Sequence, residues 1–177
     1  YTGARVGEIA QLRKQDVRQE NGIWLIRITP EAGAVKDKNT RDVALHPELV
    51  RQGFPAFVRR AKDGPLFYDP ARRRKGSKEN PLFRKVGEHL ANWIRDDVGI
   101  DDPVIRPNHA WRHWFKTTAR KSGVDPAARD YMMGHAPATV GEEYGDWEPE
   151  ALNLEISKFP VIDPAEAGIQ TESARTQ

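Results

Sequence analysis

Apolar residues recur along the chain in two rhythms. Val6, Ile9, Ala10 and Leu12 follow helical spacing, and Thr2 is placed to cap a helix that should end near Lys14. After the turn signal Asn21-Gly22, the run Ile23-Trp24-Leu25-Ile26-Arg27-Ile28 is rich in β-formers. Arg41 to Leu45 reads as a second short strand, and the polar stretch Glu31 to Thr40 as the loop between them. These segments predict an antiparallel hairpin or a three-stranded sheet.

Beyond Leu45 the helical rhythm takes over. Pro47 opens a helix with Leu49, Val50, Phe54, Phe57 and Val58 on its apolar side, ended by Gly64-Pro65. Residues 68 to 81 read as an exposed loop. The clearest amphipathic pattern runs from Pro81 to Val98, with Phe83, Val86, Leu90, Trp93, Ile94 and Val98 on one face. A helix capped by Asn108 should run to Lys121 and stop at Ser122-Gly123, with Trp111 and Trp114 packed in the core. Asp125-Pro126 opens another that carries Tyr131 and Met132 and halts at Gly134. A short helix near Ala138 to Glu143 and a last one near Glu148 to Lys158 complete the pattern. The expected fold class is therefore mainly α with a small antiparallel β-sheet near the N-terminus, an α+β fold without internal repeats.

At 177 residues the chain suits one domain. Residues 1–159 carry the periodic patterns, and residues 160–177, drawn largely from Pro, Ala, Glu, Ser and Thr, read as a disordered acidic and polar tail. The opening Tyr1-Thr2-Gly3, with no Met, is expected for a piece of a longer protein. There is no cysteine, which excludes disulfides, thiolate catalysis and cysteine-ligated zinc. No apolar run approaches the ~18 residues of a membrane span and no secretory signal is visible, so a cytoplasmic protein without a membrane partner is expected.

Charge changes the picture more than composition does. The net charge is +2, but residues 1–140 carry a net +9 and residues 141–177 a net −7. A basic body with an acidic end makes a polyanion the first partner to test, because Lys and Arg that neutralise phosphates release condensed counterions. A solubilising mixture of charges is the alternative on charge alone.

Several polar residues interrupt otherwise apolar helical contexts: Arg5 in Thr2-Gly3-Ala4-Arg5-Val6-Gly7-Glu8, and His109 with Arg112 in His109-Ala110-Trp111-Arg112. Three residues apart on a helix, His109 and Arg112 share a face. Gly134-His135 follows, with Tyr144 nine residues after the histidine. His109 and His113 are the only histidines paired at helical spacing, but the Glu that a zinc-protease helix places after its first His is Ala110 here, so no metal site is expected.

Taken in order, these elements resemble the tyrosine recombinase family of phage integrases and Xer-like recombinases, in its C-terminal catalytic domain, over about residues 2–159. The family pattern is Thr-Gly-x-Arg-x-x-Glu, a Lys on a β-hairpin, His-x-x-Arg, Gly-His, and a Tyr nine residues on. The lysine corresponds to Lys36 in Lys36-Asp37-Lys38-Asn39-Thr40-Arg41-Asp42-Val43-Ala44-Leu45, where Ala44 stands in place of the usual Pro; Lys38 is the alternative.

The resemblance implies a site-specific recombinase or integrase that cleaves and rejoins DNA through a 3′-phosphotyrosyl intermediate, without cofactor. It implies Tyr144 as the nucleophile, Arg5 and Arg112 as the phosphate clamp and Lys36 as general acid for the leaving 5′-oxygen. His109 would be base or hydrogen-bond partner, His135 a second phosphate ligand, and Glu8 a structural residue. Double-stranded DNA, self-association into a synaptic tetramer and accessory DNA-bending proteins are the partners it implies. Residues 147–159 have the apolar content to pack on a neighbouring copy or back on their own body. Arg72, Arg73, Arg74, Lys75 and Lys78 are the candidates for phosphate contacts outside the site, with a solvated loop equally open. A DNA-binding module of the same fold that is inactive in isolation is the alternative function, and the family's usual helical segment and separate DNA-encircling domain ahead of Thr-Gly-x-Arg are not in this sequence.

Overall fold

The computed structural model describes residues 1–33, 40–72, 81–135 and 147–162. Lys36, Lys38, Arg73, Arg74, Lys75, Lys78, Tyr144, the expected helix at 138–143 and most of the expected tail lie outside the described residues.

Three strands, β1 (Val17–Glu20), β2 (Ile23–Ile28) and β3 (Arg41–Ala44), form one antiparallel sheet in the order β1-β2-β3. The pairing sets Val17 opposite Ile26, Val43 opposite Ile26 and Ile28 opposite Arg41. Side chains alternate across a strand, so Val17, Ile26, Ile28, Val43 and also Arg41 point to one face. That face joins a core completed by Phe115 and Ala119, Ala128 and Met132, and Leu152 and Ile156. The helices are α1 (Val6–Ala10), α2 (Pro47–Arg51), α3 (Phe54–Arg60), α4 (Leu82–Asp96), α5 (Pro107–Lys121), α6 (Pro126–Met133) and α7 (Pro149–Ser157). Helix α7 packs against β2 and β3, α6 against β3, and α4 against α1 and α5 outside the main core. The class is the expected one, mainly helical with a small N-terminal sheet. Among the described residues no helix is long and apolar enough to cross a membrane.

Several expected boundaries differ for identifiable reasons. Helix α1 begins only after Arg5, because Gly3 holds a left-handed φ of 62° that no helix can contain, and it ends at Ala10. The helix expected from Pro47 is two, broken at Gly53. Asn108 is not the cap of α5. Pro107 takes the first helical position and Arg106 precedes it, while the Asn108 amide donates to the Gly87 carbonyl on α4 at 2.8 Å. Trp111, expected in the core, is 58% exposed, and on α4 Trp93 turns to solvent as well. Helix α6 follows its reading closely: the Asp125 side chain accepts from the backbone N–H of Ala127 and Ala128, and Gly134 ends it in the left-handed region.

On the sheet's other face, Asp42 accepts from both Arg18 (2.7 and 2.9 Å) and Arg27 (3.0 Å). Burial alone would push this carboxyl up, but the two guanidinium groups outweigh it and hold its pKa down to about 2. A depressed carboxylate stabilises the fold above its unfolded pKa and loses that contribution as pH falls through the folded value. Asp42→Asn should therefore lower stability at neutral pH by about 1 kcal/mol, solvent-screened as this partly exposed network is. The deficit, followed by urea denaturation at a series of pH values, should close between about pH 4 and pH 2.

Candidate active site

Arg5, His109, Arg112 and His135 come together in one cleft although 130 positions separate the first from the last. With His113, Lys116 and Met133 they line a hollow of about 400 Å³ between the start of α1, α5 and the end of α6. His109, Arg112, His113 and Lys116 occupy one side of α5, at helical offsets of three, four and seven. Sequence reading named only the first two as site residues. The signal for the others was present, since residues in phase with a functional pair share its face.

The two arginines are held differently. Arg112 is 7% exposed; its Nη1 donates to the carbonyls of Gly3 and Met133, the latter at 3.0 Å, and its Nη2 donates to His135 Nε2 at 3.0 Å. The His135 ring reaches Asp130 Oδ1 from its Nδ1 at 3.3 Å, and Asp130 in turn accepts from Arg129 at 2.7 and 2.8 Å. Arg5 is half-buried. Glu8 accepts from its backbone N–H at 2.8 Å and from its Nη1 at 3.1 Å. This one-turn clasp fixes the start of α1 and the guanidinium together.

Glu8 has a second partner that sequence reading missed. It is 2% exposed and accepts from Arg41, 6% exposed, at 2.8 and 3.4 Å. Burial pushes the Glu8 carboxyl up, but hydrogen bonds and charge from Arg41, then Arg5, bring it below its ordinary value. Arg41 Nε also donates to the Met132 carbonyl at 3.1 Å, and its guanidinium lies against Gly134, where an added Cβ would sit 2.6 Å from it. The expected structural role of Glu8 is thus an ion pair joining α1 and β3, which Arg41 extends to the loop that carries His135.

His109 and His113 meet edge to face with ring centroids 4.7 Å apart. Burial, then the charges of His113, Arg112 and Arg106, push the His109 imidazolium below its ordinary pKa. A neutral imidazole in a cationic cleft is suited to accept a proton. Six groups that carry or can take positive charge around one hollow suit an anion with several oxygens, and arginine's fixed donor geometry suits a tetrahedral one.

The remaining candidates divide. Arg72 is exposed, 3.8 Å from Asp69, and away from the cleft lining. Lys36, Lys38, Tyr144, Arg73, Arg74, Lys75 and Lys78 are outside the described residues. Helix α7 lies on its own body, with Leu152 and Ile156 fully buried and Leu154 67% exposed.

A model described as the phage integrase family matches residues 1–148. The tyrosine recombinase XerA of Thermococcus onnurineus is 26% identical over 161 residues, covering 91% of this chain and 52% of that protein. XerA of Pyrococcus furiosus is 27% identical over 143 residues, 81% of this chain and 46% of that protein. The tyrosine recombinase XerH of Campylobacter jejuni is 23% identical over 154 residues, 87% and 40% respectively. The chain thus spans about half the length of the curated relatives it matches. No solved structure matches.

Removing Glu8 would leave Arg41 charged and unpaired out of water. Glu8→Ala should cost about 3 kcal/mol or more in unfolding free energy, read by denaturant titration. Glu8→Gln, which keeps an acceptor, should cost less.

Proposed function

The chain belongs to the phage integrase family, and from that premise we propose that residues 1–159 form the catalytic domain of a site-specific DNA recombinase. On this reading the domain cleaves and rejoins strands through a 3′-phosphotyrosyl ester. The observation that carries the proposal is the convergence of Arg5, Arg112, His109 and His135 on one cationic cleft.

A scissile phosphodiester fits the demands of that cleft. As the Tyr144 oxygen attacks phosphorus, negative charge builds on the two non-bridging oxygens, and Arg5 and Arg112 donate to them from positions fixed by Glu8 and by two backbone carbonyls. The P–O bond to the 5′-oxygen breaks as the tyrosyl ester forms, so bond energy is conserved and no nucleotide cofactor is consumed. His109, kept neutral, takes the phenol proton, and Lys36 supplies one to the leaving 5′-oxygen. In rejoining, the 5′-hydroxyl attacks the ester and the same protons run backwards. Double-stranded DNA is the substrate and partner, with Arg72, Arg73, Arg74, Lys75 and Lys78 as phosphate contacts beyond the site. Assembly into a tetramer on DNA, with accessory DNA-bending proteins, and a cytoplasmic setting belong to the same proposal.

A nicked suicide substrate, which lets the short 5′-hydroxyl fragment diffuse away, tests the reaction. The full-length protein should form a covalent protein–DNA adduct that Tyr144→Phe abolishes and that Arg5→Ala or Arg112→Ala slows by about 10²-fold or more. Absence of any adduct would leave a DNA-binding module of the same fold.

The general acid has its own test. A 5′-bridging sulfur leaves as a thiolate and needs no proton. The Lys36→Ala defect should disappear on that substrate while the Arg5→Ala defect persists, and rescue of Lys38→Ala instead would move the role two residues on.

A further inference from the structure

Asp130 stands outside every pattern that the sequence suggested, yet it ends a chain of contacts that leads into the cleft. A guanidinium has donors only, so Arg112 Nη2, 3.0 Å from His135 Nε2, requires a lone pair on that nitrogen. The neutral ring must then carry its proton on Nδ1, the form less favoured in water, and that proton faces Asp130 Oδ1 at 3.3 Å. The carboxylate is held for this by Arg129, whose Nε and Nη2 donate to its two oxygens at 2.8 and 2.7 Å. Arg129, and then His135, keep Asp130 ionised, its pKa below the usual carboxylate range despite partial burial.

Resting on the recombinase reading, we propose that Asp130 is a positioning residue: it fixes His135 in the Nδ1–H form, so that the Nε2 lone pair holds Arg112 in the phosphate-binding cleft. His135 then acts on the phosphate first through Arg112. A direct hydrogen bond from Nε2 to a phosphate oxygen would need a second proton on the ring, and Asp130 faces the Nδ1–H of that form too. The backbone supports the arrangement, because the His135 N–H donates to the Asp130 carbonyl at 2.9 Å and keeps the two side chains on one turn. The surrounding groups in the cleft, Arg5, His109, His113 and Lys116, are all cationic or able to become so. None of them is a carboxylate that could replace Asp130.

Asp130→Asn is nearly isosteric but offers an N–H as well as an oxygen. The amide can donate to Nδ1, which moves the ring proton to Nε2 and turns it against the Arg112 donor. Nitrogen-15 spectra of histidine in the full chain without DNA, recorded at about pH 8, should show His135 protonated on Nδ1. The signal is assigned by its absence from His135→Gln. In Asp130→Asn the proton should shift to Nε2 or divide between the two nitrogens. Adduct formation from the suicide substrate at saturating DNA should fall by roughly 10- to 100-fold in that variant, with DNA affinity unchanged within about threefold. Arg129→Gln, which removes the same ion pair but not the contact to His135, should lose far less. In a His135→Ala background, Asp130→Asn should add nothing further.

A wild-type ring protonated on Nε2, an unaltered tautomer in Asp130→Asn, or equal losses in Arg129→Gln and Asp130→Asn would each overturn the assignment. If the unsubstituted protein forms no adduct while the tautomer still shifts as described, the recombinase reading fails and the positioning by Asp130 stands.

Discussion

The Glu8–Arg41 ion pair is the contact on which the arrangement of the site depends. Two charges almost wholly removed from water lose several kcal/mol each in hydration, and their attraction offsets this only if every remaining donor and acceptor is used. Here they nearly are: Glu8 also receives the Arg5 backbone N–H and side chain, and Arg41 also donates to Met132. A pair of this kind adds little net stability over a well-packed apolar substitute. It supplies direction instead, because an apolar contact tolerates sliding and a fork of hydrogen bonds does not. Three segments distant in sequence, the start of α1, strand β3 and the end of α6, are locked in register by it, and the first and last of them carry or adjoin residues of the cleft.

That register matters because the side chains it brings together in the cleft repel one another. Arg5, Arg112 and Lys116 converge with three histidines, and the nearby carboxylates, Glu8 and Asp130, are shared with Arg41 and Arg129. Mutual repulsion raises the free energy of the folded chain, and burial first, then that repulsion, favours loss of the His109 proton. A phosphate entering the site would relieve the rest. Donors fixed before a reaction need no reorganisation as charge develops in its transition state, so under the proposed function holding them against their repulsion would be where folding energy becomes catalytic advantage. The buried ion pair and the backbone carbonyls around Arg112 are the restraints that hold them.

Much of this was legible in the sequence, and the exceptions have physical causes. Strand β2 announced itself through a six-residue run rich in β-formers, and α6 through its Asp-Pro start and Gly stop. Strand β1 did not, because Val17-Arg18-Gln19-Glu20 has one apolar residue in four and belongs to the sheet only through pairing with Ile23–Ile28. Spacing on α4 placed Trp93 and Val98 on the buried face, but α4 lies outside the main core and buries a narrower stripe at Phe83, Gly87 and Ile94. Motif order brought Arg5, His109, Arg112 and His135 to notice without showing what holds them. Arg41 could have been found, since it is a charged residue in phase with Val43 on a strand whose partner face is apolar. Asp130 could not, because its significance depends on a ring nitrogen contacted from another helix.

The two motif glycines show why side chains alone were an incomplete guide. Gly3 and Gly134 both adopt left-handed φ, at 62° and 65°, where other residues are strained. A Cβ on Gly3 would also lie 2.5 Å from the Phe115 ring, and one on Gly134 would meet the Arg41 guanidinium. These conformations turn the Gly3 and Met133 carbonyls toward the same nitrogen of Arg112. An arginine buried beside an apolar core needs acceptors, and carboxylates there would offset the positive charge on which the proposed phosphate contact depends. Backbone carbonyls accept from its Nη1 without bringing a negative charge of their own. The glycines therefore work through the main chain: by allowing two tight turns, they let Arg112 be buried and oriented by acceptors that carry no charge of their own.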